Sequence, residues 1–354
     1  MKQNPESKRK IMTFMILFLA LIESAAIYAL VVSFQLLNNT SVFELAALWA
    51  GIAVWAAWLW VGIGEGLLSR TSLIAMWEKP HLQWYFLTVT ILGIALVESA
   101  AIYALVIGFQ LIWDAGLNLA QAIGMWLAVW LAGLWVWIGE GNMISWAMKA
   151  IETSPENKNK ILTFMILFLA LIESAAIYGL VMAFQIMWNE VTMLTSIWIW
   201  LSVWLAGLWV GVWEWILARR AMDVISTDFK NSGYYLTVTI LGIALVESAA
   251  IYGLIMWVQL LTTNFVDSLA AVWVWLAVWL AWLWVWIWEW KMVGEAMEAM
   301  KMDPKNRKKI LTFMILFIAL IESVAIYGLV VWTQILSTLD MNGYIAIWAG
   351  LAIW

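Results

Sequence analysis

Apolar runs long enough to cross a membrane alternate with short polar turns along the chain. The run from Lys10 to about Leu37 holds about 27 residues, which reach about 40 Å at about 1.5 Å per residue. The next run, from about Phe43 to Trp77, is again long and ends in a basic turn at Pro80. Because roughly 20 apolar residues cross a bilayer as a helix, both runs predict transmembrane helices. The pattern therefore indicates an all-α, polytopic membrane protein built from helical hairpins.

The hairpin repeats with a period of about 75 residues, and such a period is typical of a tandem array. We predict a single membrane domain, 1–354, that begins with one helix over residues 1–40. Four hairpins follow, at 41–114, 115–189, 190–264 and 265–338. A last helix, 339–354, is too short for a bilayer. We expect it to be incomplete or to be completed by another chain.

One kind of helix carries Glu, then Ser at the next position and Tyr five residues after the Glu; we call these the Glu-Ser helices. The other kind, which we call the Trp-rich helices, carries its own regularly spaced Glu. The Glu-Ser sets are Glu23, Ser24, Tyr28; Glu98, Ser99, Tyr103; Glu173, Ser174, Tyr178; Glu247, Ser248, Tyr252; and Glu322, Ser323, Tyr327. The Trp-rich helices carry Glu65, Glu140, Glu214 and Glu289. An ionisable residue at membrane depth costs about 2.5–3.5 kcal/mol, so all of these glutamates are candidate site residues.

The two carboxylates of one hairpin are predicted to lie at nearly the same depth. Glu65 precedes Pro80 and Glu98 follows it, so in antiparallel helices they stand about 22 and 27 Å from the turn. The same spacing recurs at Pro155 and Pro304, while Phe229 takes the proline position in the third turn.

Composition agrees with a membrane protein. Hydrophobic residues make up 66% of the chain and charged residues only 12%, whereas soluble domains are about 45–50% apolar. The absence of cysteine excludes disulfides and thiolate metal sites, and the only histidine, His81, is expected to be a solvated turn residue. We expect a lipid bilayer as partner, and no nucleic acid.

Charge is distributed unevenly between the two sets of turns. All 18 Lys and Arg lie at the N-terminus, at alternate turns or in the adjoining helix ends, and the remaining turns carry only neutral or acidic polar residues. By the positive-inside rule the N-terminus and the basic turns are predicted to be cytoplasmic.

The repeats resemble the proteolipid c subunit of rotary ATP synthases. Glu173-Ser-Ala-Ala-Ile-Tyr-Gly-Leu-Val181 is similar to that family's outer helix, and Gly62-Ile-Gly-Glu-Gly66 ahead of Lys79-Pro80 is similar to its glycine-rich inner helix. The resemblance covers essentially the whole chain. It implies a ring or arc of hairpins with Trp-rich helices inside, several chains per ring, and stator and central-stalk subunits as partners. It also implies a rotor component of a sodium- or proton-translocating ATP synthase or ATPase, without catalysis of its own.

The resemblance further implies an ion site, similar to the sodium-binding, two-carboxylate version of the family. Carried over to the first repeat, Glu23 binds the cation, Ser24 supplies a hydroxyl oxygen, Leu21 supplies a carbonyl oxygen and Tyr28 steadies the carboxylate. Glu65, or its equivalent in the same or an adjacent hairpin, closes the site, with Na⁺ or H⁺ as the bound ion. Two carboxylates with one monovalent cation leave one negative charge, so one of them should keep a proton.

Tryptophan is the chain's main departure from that family. The series Gly51, Gly62, Gly64 and Gly66 of the first copy becomes Trp275, Trp286, Trp288 and Trp290 in the fourth. Because indoles forbid the close helix approach that glycine allows, we expect wider contacts or indoles turned into the lumen. The pattern suggests an engineered or unusually evolved chain. Two alternatives follow: a structural membrane ring or pore without ion turnover, and Ser and Tyr acting only as polar glue between helices.

Overall fold

The computed structural model describes residues 8–39, 44–114, 116–261 and 269–337, and these ranges contain helices and turns but no strand. The Glu-Ser helices are α1 (Lys8–Ile22) with α2 (Ser24–Asn38), α4 (Gln83–Val97) with α5 (Ser99–Trp113), α7 (Lys158–Trp188), α9 (Ser232–Leu261) and α11 (Arg307–Ser337). The Trp-rich helices are α3 (Glu44–Glu78), α6 (Leu119–Thr153), α8 (Met193–Thr227) and α10 (Leu269–Met302). Residues 339–354, the predicted short last helix, lie outside the described ranges.

In each hairpin a short 3-10 turn connects the Trp-rich helix to the Glu-Ser helix that follows it. Three of these turns begin with proline, whose fixed φ suits the first helical position and whose missing N–H is not needed there. In the third turn Phe229 occupies that position without changing the turn. The four turns are Pro80–Leu82, Pro155–Asn157, Phe229–Asn231 and Pro304–Asn306.

Six segments of the described ranges are long and apolar enough to cross a membrane. They are Lys8–Asn38, Ala46–Glu78, Pro80–Trp113, Pro155–Trp188, Phe229–Ile255 and Pro304–Val331. Two of them include a one-residue break in the helix at the glutamate, between α1 and α2 and between α4 and α5. The lengths and composition support the prediction of an integral membrane protein.

The helices form two layers that follow chain order. The Trp-rich helices pack side by side, α3 on α6, α6 on α8 and α8 on α10, and the Glu-Ser helices pack against them in the same order. Glu-Ser helices touch one another over much shorter stretches than Trp-rich helices do. The Trp-rich helices therefore form the more closely packed of the two layers. The predicted all-α hairpin repeat is confirmed.

Contacts between Trp-rich helices change from glycine to tryptophan along the chain. Between α3 and α6, a Cβ added to Gly141 would lie 2.9 Å from the Cα of Gly64. Between α6 and α8, a Cβ on Gly139 would lie 2.8 Å from Trp215 Cδ1. Between α8 and α10, the rings of Trp213 and Trp290 stack with their centroids 4.7 Å apart. The contact that is backbone on backbone at one end of the array is thus ring on ring at the other.

The indoles take more than one position. Trp137 and Trp286 are fully buried between helices, whereas Trp55 is 57% exposed and Trp288 is 48% exposed. Trp137 and Trp286 therefore pack at helix contacts, and the expectation that indoles turn into a lumen stays a prediction. The side chains of Trp273, Trp275, Trp279 and Trp284 lie outside what the structure describes.

Candidate functional site

Serine and tyrosine of one Glu-Ser helix meet the glutamate of the next. At the first such site, Ser24 Oγ lies 2.5 Å from Glu98 Oε1, and the Tyr28 hydroxyl donates to the same oxygen at 3.0 Å. Ser24 Oγ also lies 2.6 Å from the carbonyl oxygen of Leu21, one turn earlier in its own helix. A carboxylate, a hydroxyl and a carbonyl oxygen therefore converge between two neighbouring helices.

The second site has the same hydroxyl pair. Ser99 donates to Glu173 Oε1 at 2.5 Å and Tyr103 donates to the same atom at 2.7 Å.

The third and fourth sites keep the arrangement with variations. Tyr178 donates to Glu247 Oε1 at 2.5 Å, while the buried Ser174 hydroxyl makes no hydrogen bond to that carboxylate in the part of the chain the structure describes. Ser248 donates to Glu322 Oε1 at 2.8 Å, and Tyr252 also hydrogen-bonds that carboxylate. Because each contact joins equivalent positions of adjacent repeats, the glutamates from Glu98 to Glu322 lie at one level.

The grouping of residues differs from the one inferred within a single repeat. Ser24 and Tyr28 were expected beside Glu23 of their own helix, but their hydroxyls reach Glu98 instead. The reason is helical geometry: successive residues point about 100° apart, so the Ser next to a Glu faces a different neighbour. Each site is therefore composed of two repeats.

A buried glutamate of a Trp-rich helix lies near each of these carboxylates. Glu65 is buried and lies within electrostatic range of Glu98, the glutamate of its own hairpin. The same pairing joins Glu140 to Glu173, Glu214 to Glu247 and Glu289 to Glu322. The oxygens of these four buried carboxylates have no hydrogen-bond partner among the described residues. A buried carboxylate without partners is strongly unfavourable as an ion, so each needs a proton or a cation.

Residues at the two ends of the array are left out of these sites. Glu23 is exposed and receives no hydroxyl within the described ranges. Ser323 bonds back to the Leu320 carbonyl at 2.6 Å, and Tyr327 is 60% exposed.

A polar cluster at the basic turns was missed in the sequence. Arg307 Nη2 donates to Asp228 Oδ2 at 2.6 Å, and Tyr235 donates to the same oxygen at 2.7 Å. Burial alone would raise the pKa of Asp228, but these hydrogen bonds, one from Asn231 and the Arg307 charge together lower it. The sequence shows Asp228 beside the third turn, but nothing in it pairs Asp228 with Arg307. The cluster ties the third turn to the fourth.

Comparison with known proteins extends these observations. The family of ATP synthase c subunits matches residues 1–36, 48–111, 123–186 and 272–334 of this chain. The ATP synthase c subunit of Chloroflexus aurantiacus is 41% identical over 71 residues, which cover 20% of this chain and 90% of that protein.

Two further relatives also align with a stretch of this chain about one hairpin long, which covers most of each relative. The ATP synthase c subunit of Clostridium beijerinckii is 44% identical over 57 residues, 16% of this chain and 80% of that protein. The chloroplastic c subunit of Phaeodactylum tricornutum is 36% identical over 74 residues, 21% of this chain and 90% of that protein. With matches repeated along most of its length and a hairpin fold that carries paired glutamates, the chain belongs to the ATP synthase c-subunit family.

Proposed function

We propose that this chain is a component of a membrane rotor ring in a sodium-translocating rotary ATP synthase or ATPase, in which each glutamate of a Glu-Ser helix binds one cation. The observation that carries the proposal is the convergence of Ser and Tyr hydroxyls from one helix on the carboxylate of the next. Carboxylate, hydroxyl and carbonyl oxygens are hard ligands that suit a hard cation and no soft metal.

The first site illustrates the ligand set. Glu98 supplies a carboxylate oxygen, Ser24 a hydroxyl oxygen and Leu21 a carbonyl oxygen. The Glu98 and Leu21 oxygens lie 2.5 and 2.6 Å from Ser24 Oγ. Tyr28 holds the carboxylate from the other side. In this proposal the cation neutralises Glu98, because an ionised carboxylate could not move through lipid without a large penalty.

The second carboxylate bears on which ions the site holds. One Na⁺ together with one retained proton would neutralise both carboxylates, whereas a single proton alone would leave one of them charged. Glu65 is buried beside Glu98 without a hydrogen-bond partner among the described residues. One monovalent cation leaves one negative charge on the pair, so one carboxyl keeps a proton and the two titrate as a unit. A proton-translocating rotor would protonate the same glutamates, and the Ser24 hydroxyl and Leu21 carbonyl oxygens would not act as cation ligands.

The basic turns give the proposed orientation and partners. Lys79, Lys230 and Lys305 lie at the 3-10 turns that close the hairpins, and we place this end in the cytoplasm. Central-stalk subunits would dock on these turns, and a stator subunit would face the Glu-Ser helices at the level of their glutamates.

Labelling with dicyclohexylcarbodiimide tests the assignment, because this reagent modifies protonated membrane carboxyls. We expect Glu173 to be labelled in purified protein without Na⁺ and to be protected by added Na⁺ but not by K⁺. Glu173→Gln should lose the label at this position, while Glu190→Gln, a change in a turn, should leave it unchanged. Labelling of Glu173 that Na⁺ leaves unchanged would remove the sodium assignment, and no labelling at any glutamate would remove the ion site.

One observation favours the second candidate, a structural ring without turnover. The stacked rings of Trp213 and Trp290 fill a contact that is glycine on glycine between α3 and α6. A structural ring needs no exchangeable cation, so it predicts labelling that is insensitive both to Na⁺ and to loss of the Ser99 hydroxyl.

A further inference from the structure

One turn of the array is a residue shorter than its counterpart. The Glu-Ser helix α5 ends at Trp113 and the Trp-rich helix α6 begins at Leu119, so residues 114–118 connect them. In the next repeat α7 ends at Trp188 and α8 begins at Met193, so only residues 189–192 connect them. Because α6 and α8 are both 35 residues long, the lost residue belongs to the turn. We call residues 189–192 the short turn.

The short turn changes the register between α7 and the hairpin that follows it. The contact between Tyr and Glu joins residues 70 positions apart at the first two sites and 69 positions apart at the third. The end of α7 is held by α6, since Gln121 Nε2 donates to the carbonyl oxygens of Met187 at 3.2 Å and Asn189 at 3.0 Å. One residue of chain reaches at most about 3.6 Å, so the hairpin of α8 and α9, which carries Glu247, must take up a shift of up to that size.

The contacts at Glu247 agree with such a shift. Tyr178 still donates to Glu247 Oε1 at 2.5 Å, because its long side chain can follow a displaced carboxylate. The Ser174 hydroxyl stands one bond beyond Cβ and cannot follow. It is buried, and within the described ranges it makes no hydrogen bond to Glu247, whereas the corresponding serine lies 2.5–2.8 Å from its carboxylate at the other three described sites.

The third site also lacks a backbone contact that the first and fourth sites have. Ser24 and Ser248 lie 2.6 and 2.7 Å from the carbonyl oxygens of Leu21 and Leu245, one turn earlier in their own helices. In the part of the chain that the structure describes, Ser174 makes no such contact. The hydroxyl, carbonyl and carboxylate oxygens that suit a hard cation are therefore not drawn together at Glu247.

We propose that the Glu247 site binds sodium at least about tenfold more weakly than the Glu173 site, and that the short turn sets this difference. The inference rests on the proposed function, since it concerns how tightly one of the cation sites holds its ion. One contact to a charged group contributes about a factor of ten or more, and Glu247 lacks the contact to serine. At sodium concentrations that just fill the other sites, Glu247 would remain without sodium. The chain would then carry fewer sodium ions than it has Glu-Ser helices.

Site-resolved labelling tests the difference within one molecule. Full-length protein in mild detergent is treated with dicyclohexylcarbodiimide over a series of Na⁺ concentrations, and the labelled peptides that contain Glu173 and Glu247 are quantified by mass spectrometry. Half-protection of Glu247 should need at least about tenfold more Na⁺ than half-protection of Glu173. Equal concentrations would overturn the inference and leave the proposed function intact. Labelling that Na⁺ changes at neither glutamate would reject the proposed function and the inference with it.

Lengthening the short turn tests its role as the cause. One glycine inserted between Asn189 and Glu190 gives this turn the length of its counterpart. The Na⁺ concentration for half-protection of Glu247 should then fall by about tenfold, while that of Glu173 stays the same. Ser174→Ala in the lengthened chain should cancel the gain, because the gain acts through the Ser174 hydroxyl. Unchanged protection of Glu247 in lengthened protein that keeps its helical circular dichroism, or a gain that survives Ser174→Ala, would contradict the role of the turn.

The reciprocal change shortens the turn between α5 and α6. Deletion of Gly116 leaves this turn as long as the short turn, so half-protection of Glu173 should need about tenfold more Na⁺ while that of Glu98 stays the same. This measurement does not depend on the folding of the lengthened chain. Equal protection of Glu173 with and without Gly116 would show that turn length does not set the affinity.

Discussion

Gly141 and Gly66 offer a matched test of the contact between α3 and α6. Each directly follows the buried glutamate of its Trp-rich helix. A Cβ on Gly141 would meet the backbone of α3, with Gly64 C and Cα at 2.9 Å and the Gly64 carbonyl oxygen closer still. A Cβ on Gly66 would meet nothing within 4 Å. The two positions therefore differ in packing but not in helical environment.

The expected magnitudes follow from this difference. Alanine gains about 1 kcal/mol over glycine in a helix interior, and this gain applies to both variants. At Gly141 the added methyl group must push backbone apart, and overpacking of this kind costs about 1–3 kcal/mol. We therefore expect Gly141→Ala to be less stable than Gly66→Ala by about 1–3 kcal/mol, with Gly66→Ala at or above the wild type.

The assay is an SDS titration of the protein in mild detergent micelles, followed by helical circular dichroism and tryptophan fluorescence. Dicyclohexylcarbodiimide labelling of Glu173 reports whether the site keeps its geometry, because Glu140 precedes Gly141 and lies near Glu173. Unfolding midpoints that coincide for the two alanine variants would refute the close backbone contact.

Three further changes test other parts of the structure. Ser99→Ala should raise the Na⁺ concentration that protects Glu173 by roughly 10- to 150-fold, because Ser99 donates to that carboxylate. Ser174→Ala should change the protection of Glu247 far less, because the Ser174 hydroxyl makes no hydrogen bond to Glu247 among the described residues. Arg307→Met should lower the unfolding free energy by about 1–2 kcal/mol, compared with little change for the exposed Lys305→Met. Since the folded pKa of Asp228 lies below its ordinary value of 3.8, its stabilisation is present above about pH 4 and is lost as the pH falls through the folded value; the difference between wild type and Arg307→Met should shrink in that acid range. Trp290→Gly should remove the stack with Trp213 and reduce ring diameter in electron micrographs if the indoles space the helices, and an unchanged diameter would mean that they do not.

The hairpin repeat was predictable because it depends on properties that the sequence displays directly. Apolar length sets the number of residues needed to cross a bilayer, and regular spacing of Glu and Pro sets where each hairpin turns. Glu65 and Glu98 could be placed at similar depth from counts alone, since helical rise converts residue number into distance. The observed pairing of these two residues within one hairpin agrees with that count.

The partners of each hydroxyl were decided by tertiary structure. Ser24, Tyr28 and Glu23 are close in sequence, yet the hydroxyls reach Glu98, because the direction of a side chain around a helix matters only once a neighbour is packed beside it. The link from Arg307 to Asp228 likewise joins two turns that sequence distance does not connect. Indoles were visible in the sequence, but whether a given ring stacks, like Trp213, or stays exposed, like Trp55, depended on the width of each helix contact. Sequence by itself determined which residues could form the sites, and packing between repeats determined how they combine, because each site is shared by helices far apart in the chain.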